Sequence, residues 1–446
     1  MNNKLSLLAG AAVGVMLVAG VAAPAQAKPV KKHAAAASSQ AAELAALKAQ
    51  VQALTERLNA QEAAQAQTQS TAQAAQTQAQ AATEQVAQVQ TQTAAQIQTI
   101  PTQVKTEVAA AAPKPKTSWA DNTTISGRMY YDLSSISQKS NGVKTTPSGT
   151  GFDIKRFYVG IDHKFNDVFS ANVTTDFQYS SAISATELYI KKAYLQAKLS
   201  DALVLKVGSA DLPWVPFAED IYGYRYVENT LIDRTKFGTS ADWGVHASGK
   251  FADGKVNYAV SIIDGAGYKA PLRSKGMDIE GRISVVPIDH VTLAVGGYSG
   301  KLGKETEGAT NIYHTANRFN ALAAYTTKQY RIGVEYFSTE DWNNVTTTTS
   351  DKADGYSVFG SYAFNGQFSA FGRYDYVKPN KDTADSKKDN YFNVGLTYSP
   401  AKIVDFSLVY KRDSVENGTL ATSNGTIGGS DKGTYDEVGL FGQFRF

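Results

Sequence analysis

Seven basic residues, Arg128, Arg156, Lys206, Arg282, Arg331, Arg373 and Lys411, stand in stretches where polar and apolar residues alternate. Each falls on the polar phase of its stretch. A ladder of fixed cations along a water-filled space attracts anions. Carboxylates share the same phases a few residues away: Asp132 with Arg128, Asp162 with Arg156, Glu280 with Arg282, Glu335 with Arg331, and Asp375 with Arg373. Opposed charges across a narrow passage would make a transverse field with only mild ion preference. Other chemistry is poorly supplied. There is no cysteine, so thiol catalysis, disulfides and Cys-based zinc sites are excluded. His163, His246, His290 and His314 are scattered, and no Gly-x-Ser-x-Gly sequence accompanies them. His246 and Ser248 share one phase, a pairing that any strand offers by chance. No enzyme activity, cofactor or metal is expected. The formal charge is +3 with Lys and Arg dispersed, so no nucleic-acid partner is implied.

Period 2 is the mark of a strand with two different faces. The last segment shows it best: Val438, Leu440, Gly442, Phe444 and Phe446 alternate with Glu437, Gly439, Phe441, Gln443 and Arg445. Apolar-out, polar-in segments of about ten residues are the units of a transmembrane barrel. Sixteen are expected: 122–133, 152–163, 167–180, 186–199, 202–210, 241–251, 255–264, 276–286, 290–300, 316–326, 329–339, 355–364, 367–378, 389–399, 402–413 and 433–446. Their connections alternate in length. Short turns fall near Asn166, Ser200, Asp253, Pro287, Thr327, Asn365 and Pro400. Longer connections fall at 134–151, 181–185, 211–240, 265–275, 301–315, 340–354, 379–388 and 414–432, although 181–185 is hardly long. Short turns on one side and long loops on the other are the habit of outer-membrane barrels. Tyr325, Tyr330, Phe364, Phe368, Tyr398 and Phe444 stand at strand ends, where aromatic girdles meet the lipid interface. An even strand count puts both barrel ends on the short-turn, periplasmic side. A soluble sandwich would also alternate, but it would not explain those terminal aromatics.

The rest of the chain has other compositions. Lys4, the uncharged run Leu5 to Val21, Pro24 and Ala25-Gln26-Ala27 form an export signal, with cleavage expected after Ala27. Residues 28–116 are rich in Ala, Gln and Thr. Leu44, Leu47, Val51, Leu54 and Leu58 are spaced 3, 4, 3, 4, the seam of a coiled coil. Ala72, Ala75, Ala79, Ala82, Val86 and Val89 keep that register, and Pro101 should end or kink the helix. So narrow a seam needs partner helices; a flexible tether is the plainer alternative. Pro113-Lys-Pro115 marks a linker. The expected architecture is an all-β transmembrane barrel of about sixteen antiparallel strands, residues 117–446. An α-helical coiled-coil spacer at 28–116 and a signal at 1–27 precede it. The expected place is the outer membrane of a Gram-negative cell, with a periplasmic N-terminal segment.

Sixteen strands leave room for an aqueous channel. The longest connection, Asp211 to Ser240, follows the fifth strand, and in this the chain resembles porins, whose third loop folds into the lumen. The C-terminal strand, with Leu440, Phe444 and Phe446, is similar to the signal read by the barrel-assembly machinery. Lys192-Ala-Tyr194, Leu205-Lys-Val207-Gly208 and Pro213-Trp214 resemble the phosphate-selective porin O and P family. The resemblance covers 117–446 as a pattern and about thirty residues as a motif. It implies a homotrimer and passage of small hydrophilic solutes, including anions such as phosphate. Family members often carry Lys two residues before that Pro; here the residue is Asp211. Six acids from Asp211 to Asp242, among them Glu219, Asp220, Glu228 and Asp233, face three bases, Arg225, Arg234 and Lys236. A strongly anion-selective filter is not what this balance suggests. Trp214, Phe217, Tyr222, Tyr224 and Tyr226 offer either a sugar track or packing against the wall. The other readings are a sugar-preferring channel and an envelope tether built on the coiled coil.

Overall fold

The computed structural model describes residues 118–180, 185–308 and 311–446, together with isolated helical positions between Lys48 and Gln88. The export signal, the continuous seam of the spacer and its Pro linker lie outside the described residues. The chain divides into two compact units, Met1–Pro115 and Lys116–Phe446. Among the described residues no helix is long and apolar enough to cross a membrane.

The second unit is one closed antiparallel sheet. Its strands are β1 (Thr123–Ser140), β2 (Val143–Lys144), β3 (Gly149–Lys164), β4 (Phe169–Ser180), β5 (Ala185–Ser200), β6 (Leu203–Asp211), β7 (Ala241–Phe251), β8 (Val256–Ile263), β9 (Asp278–Val285), β10 (Val291–Gly300), β11 (Ala316–Thr326), β12 (Tyr330–Glu340), β13 (Lys352–Ala363), β14 (Phe368–Lys378), β15 (Lys388–Ala401), β16 (Val404–Thr422) and β17 (Gly425–Arg445). β2 is a two-residue spur, and the other sixteen form the wall. Every expected strand is present. β1 and β17 close the seam from Arg128↔Arg445 to Ser140↔Gly433. Phe446 finishes it: its N–H donates to Gly127 O, and Gly127 N–H donates back to Phe446 O, both at 3.0 Å.

The alternation has its expected result. Leu188, Leu408 and Ile332 point outward and are 68%, 61% and 54% exposed, while Asp132, Asn320, Asn393 and Ser407 face inward and are buried. An exterior of this kind is stable against hydrocarbon, not water. Short turns are capped by their own side chains. Asn166 Oδ1 accepts from the backbone N–H of Val168 and Phe169 at 2.9 and 2.8 Å, and Asn365 does the same for Gln367 and Phe368.

Two expected loops are largely strand. β1 runs on to Ser140, and β16 and β17 continue to a turn at Ser423 and Asn424. The Gly, Ser, Thr and Asn of 414–432 read as a loop. Yet Val415, Leu420 and Ile427 pack with Tyr435 and Ile136, the phase slipping once at the bulge between Glu416 and Gly418. Residues 181–184 lie outside the described set. Bulges, which no period-2 reading anticipates, interrupt β3 and β5. β1 pairs Tyr130 with Arg156 and Tyr131 with Ile154, leaving Lys155 extra. β4 pairs Thr174 with Lys192 and Thr175 with Ile190, leaving Lys191 extra.

Gly208 shows how tightly the strands approach. Its φ is +122°, and a Cβ there would lie 2.1 Å from Ala193 O. Gly208→Ala is expected to cost at least about 1–3 kcal/mol. A lower urea midpoint for the refolded barrel would show it; an unchanged midpoint would contradict this packing.

Candidate functional site

The connection from β6 to β7 turns inward. It carries α1 (Val215–Tyr222), which stops at Gly223 with φ +80°, and the single-turn α2 (Leu231–Arg234). Leu212, Trp214, Val215, Ala218, Leu231, Ile232 and Phe237 bury their side chains against wall residues that include Ile263, Leu322 and Phe337. Tyr224 stacks on Phe371 at 4.0 Å, and Tyr226 pairs its hydroxyl with Ser407 Oγ at 2.6 Å. The loop aromatics therefore pack against the wall. Phe217 lies under the Arg282 guanidinium at 3.9 Å.

Charges pin this loop. Arg234 is fully buried. Its Nε, Nη1 and Nη2 donate to Asp375, Asp413 and Asp389 at 2.9, 2.9 and 2.6 Å, so one guanidinium joins the loop to β14, β15 and β16. Arg373 holds Asp375 at 2.6 Å and donates to Asn229 O. Trp214 donates its backbone N–H to Glu280 and its indole N–H to Glu335. Arg318 donates to Glu280 at 2.8 Å and to Phe237 O. Lys411 sits between Glu228 and Glu437 at 3.1 and 2.8 Å. Lys236 presents its backbone carbonyl to Trp342. The β16–β17 turn closes over the loop: Ser423 N–H donates to Arg234 O, and Ser423 Oγ to Glu228.

All seven basic positions and their five acids thus stand on the inward face, but they divide into two groups. Arg282, Arg373, Lys411, Glu280, Glu335 and Asp375 are engaged by the loop. Arg331 reaches the backbone carbonyl of Asp220 at 3.2 Å. Arg128, Arg156, Lys206, Asp132 and Asp162 lie on the wall and make no hydrogen bond or ion pair to the loop among the described residues. The expected same-strand pairs mostly do not form. Only Arg373–Asp375 does. Arg156 binds Asp176 across the bulge at 3.2 Å, Asp162 accepts from Asn172, Asp132 accepts from Ser134, and Arg128 donates to Tyr130. Arg128–Asp132, Arg156–Asp162 and Arg331–Glu335 stand four or six residues apart along one strand, roughly 13–20 Å, beyond the reach of a side-chain contact. Nearer partners are taken instead, across strands for Arg156 and Asp162 and two residues along for Arg128 and Asp132.

The bulges supply cations that the period-2 reading missed. Each turns two consecutive basic residues inward. Lys155 reaches Val227 O and lies over Phe441, and Lys191 lies over the Tyr158 ring at 4.7 Å. Lys192 pairs with Asp211 at 2.5 Å, so the acid found where family members often carry Lys is neutralised. Lys206 lies over Tyr194 at 4.6 Å. From the loop, Arg225 binds Glu219 at 2.6 Å and approaches Asp233 at 3.7 Å. The readable signal was the doublet itself: two adjacent cations inside an alternating strand cannot both avoid lipid unless the phase slips.

Two cavities remain. One of ≈ 450 Å³, toward the long-loop end, includes Lys155, Arg156, Arg225, Lys236 and Lys269 in its lining. The second, of ≈ 730 Å³, toward the short-turn end, includes Arg128, Lys191, Lys192, Arg225, Lys402 and Arg445. Arg225 lines both. Five cations face four carboxylates in the first, and six face four in the second. His246 makes no dyad with Ser248: its ring nitrogens engage Ser261 Oγ and Gly208 O.

Arg234→Ala should leave Asp375, Asp389 and Asp413 buried without their shared cation, costing about 3–5 kcal/mol. The expected result is a larger, noisier single-channel conductance and a lower melting temperature. Glu228 gives a pH test. Burial opposes its charge, yet Lys411, Lys155 and hydrogen bonds from Ser423 and Asn229 hold its carboxyl well below the ordinary value. A lowered folded value means that the ionised form stabilises the loop above pH about 4.3, and that this is lost as pH falls further. The stability gap between the parent chain and Glu228→Gln should be constant from pH 7 to about 5 and narrow below about pH 4. A gap that widens on acidification would overturn the assignment.

No family model matches the chain, and no curated protein sequence does. Solved structures do. The anion-selective porin from Comamonas acidovorans superposes with a TM-score of 0.55 at 11% identity, over 73% of this chain and 99% of its own. The outer membrane channel DcaP of Acinetobacter baumannii gives 0.52 at 12% identity, over 73% and 97%. A loop L8 deletion mutant of OmpT, an outer membrane protein of Vibrio cholerae, gives 0.50 at 16% identity, over 73% and 99%. At these identities the likeness is one of fold: the described barrel has the closed antiparallel architecture of outer-membrane porins.

Proposed function

We propose that this chain is an outer-membrane porin, a water-filled channel for passive diffusion of small hydrophilic solutes with a mild preference for anions, inorganic phosphate among them. The observation that carries this reading is the pair of cavities inside the barrel, both lined by Arg225 and each with cations in excess. Lys191 and Lys206 form no ion pair among the described residues and lie over tyrosine faces instead. They are available to a passing anion. Nearby ion pairs, Arg156–Asp176, Lys192–Asp211 and Arg225–Glu219, temper the field, so selectivity is weak, not absolute.

The same reading assigns roles to the remaining segments. Residues 1–27 direct export. Residues 28–116 stand in the periplasm as a coiled coil, three-stranded if the channel is a homotrimer. Leu440, Phe444 and Phe446 present the terminal strand to the barrel-assembly machinery before Phe446 seals the seam. Tethering to the cell wall is a separate function that the spacer could add without altering the channel.

Reversal potential in a potassium chloride gradient across a planar bilayer tests the proposal. The purified chain should show chloride favoured over potassium by a few-fold, and Lys191→Glu with Lys206→Glu should reverse the sign. Phosphate should reduce chloride current more than an uncharged sugar of similar size. Refolded protein that opens no channels would sink the proposal, and an unchanged reversal potential in the double variant would remove the anion preference.

A further inference from the structure

The outward face of β8 to β12 carries a furrow. Gly281 and Gly297 face each other in register there, and Ala321 and Ala323 follow on β11 opposite Val295 and Leu293. Side chains this small leave a channel in the apolar surface, flanked by Phe319 and Tyr336. It includes a hollow of ≈ 820 Å³ above and one of ≈ 380 Å³ below, both bordered by Tyr336. Composition changes with depth. Below Tyr336 the lining is Ile283, Val285, Leu293 and Val295. At the long-loop end it becomes Glu340, Lys352, Asp354 and Lys381. Lys352 is 3.8 Å from Glu340, Lys381 contacts Asp354, and the two lysine side chains are 53% and 40% exposed.

We propose that this furrow holds a phosphate-bearing membrane lipid. Its acyl chain lies along the glycine and alanine row, and its phosphate lies between Lys352 and Lys381. The order of the lining, hydrocarbon first and ammonium groups above a tyrosine, is the order of a lipid from chain to headgroup. Both lysines keep enough exposure to take on a phosphate, Lys352 by exchanging its loose contact with Glu340 and Lys381 beside its close contact with Asp354. Glu340 and Asp354 then remain beside the phosphate, suited to a headgroup that also bears an amine. A second copy of this chain would have to offer a ridge with the same gradient.

Native mass spectrometry of the full chain in detergent, titrated with dioleoyl phosphatidylethanolamine or dioleoylglycerol, tests this. The parent protein should retain the phospholipid roughly tenfold more tightly than the uncharged lipid. Lys352→Gln with Lys381→Gln should abolish that difference while leaving dioleoylglycerol retention unchanged. Gly297→Leu should weaken both lipids, since a Cβ there meets nothing closer than Arg318 O at 3.5 Å and the backbone accepts it. Gly281→Ala, with ordinary contacts at 3.8 Å, is a milder filling whose folding is checked by heat-shifted electrophoretic mobility. Equal retention of the two lipids by the parent would overturn the proposal. So would a Gly297→Leu chain that keeps its lipid but changes the number of subunits per particle, which would assign the furrow to a second copy. Lipid retention is read without ion passage, so this proposal and the channel proposal can fail separately.

Discussion

A backbone in hydrocarbon has no water to satisfy it, so each N–H and C=O must find a partner within the protein. Here that requirement is met by closing the sheet. β1 bonds to β3 on one side and to β17 on the other, and the reciprocal bonds of Gly127 with Phe446 leave the seam no free edge at its base. Once the sheet is closed, each strand has one face toward lipid and one toward the interior. Apolar and polar residues must alternate, and charges have nowhere to go but inward. The aromatic ends, the capped short turns and the polar lumen all follow from closure.

A wall of sixteen strands encloses more space than its own side chains fill. The β6–β7 loop takes up one side of it. Burying Arg234 among three carboxylates is costly in desolvation, and such clusters do not by themselves stabilise a fold. What this one supplies is position: three carboxylates on three adjacent strands specify where a single guanidinium can sit. Trp214 on Glu280 and Glu335, and Lys411 on Glu228, fix the remainder of the loop. The loop's acids are largely consumed by these contacts and by Arg225. The open wall opposite then shows the cations of β3, β5 and β6.

The bulges of β3 and β5 explain why that wall is so basic. A regular strand could turn inward only one of Lys155 and Arg156, and only one of Lys191 and Lys192. The extra residue lets both reach water, at the cost of a local break in the ladder. The doublets were visible in the sequence as an irregularity. Their meaning was not, because a slip in phase is a property of the pairing with the neighbouring strand.

Period-2 alternation, turn residues and aromatic ends were enough to place every wall strand and the inward phase of each candidate charge. Those are local properties, set by residues two positions apart. The partners of the charges were not legible. Arg156 meets Asp176 on the next strand and not Asp162 six residues along its own, and Arg318 reaches across β10 to Glu280 on β9, because sheet pairing, not spacing along one strand, brings these groups together. Nor did counting acids in the loop reveal the field, since Asp211 and Glu228 are neutralised by lysines distant in sequence. The loop-like composition of 414–432 hid a hairpin whose Val415, Leu420 and Ile427 pack with Tyr435 and Ile136, and whose Ser423 bonds the β6–β7 loop. Sequence by itself determined the alternating strands and the phase of each charge, because these depend on local periodicity. Tertiary structure alone decided which charges are spent holding the loop and which still face water, because that depends on how strands distant in sequence pair and where the loop folds.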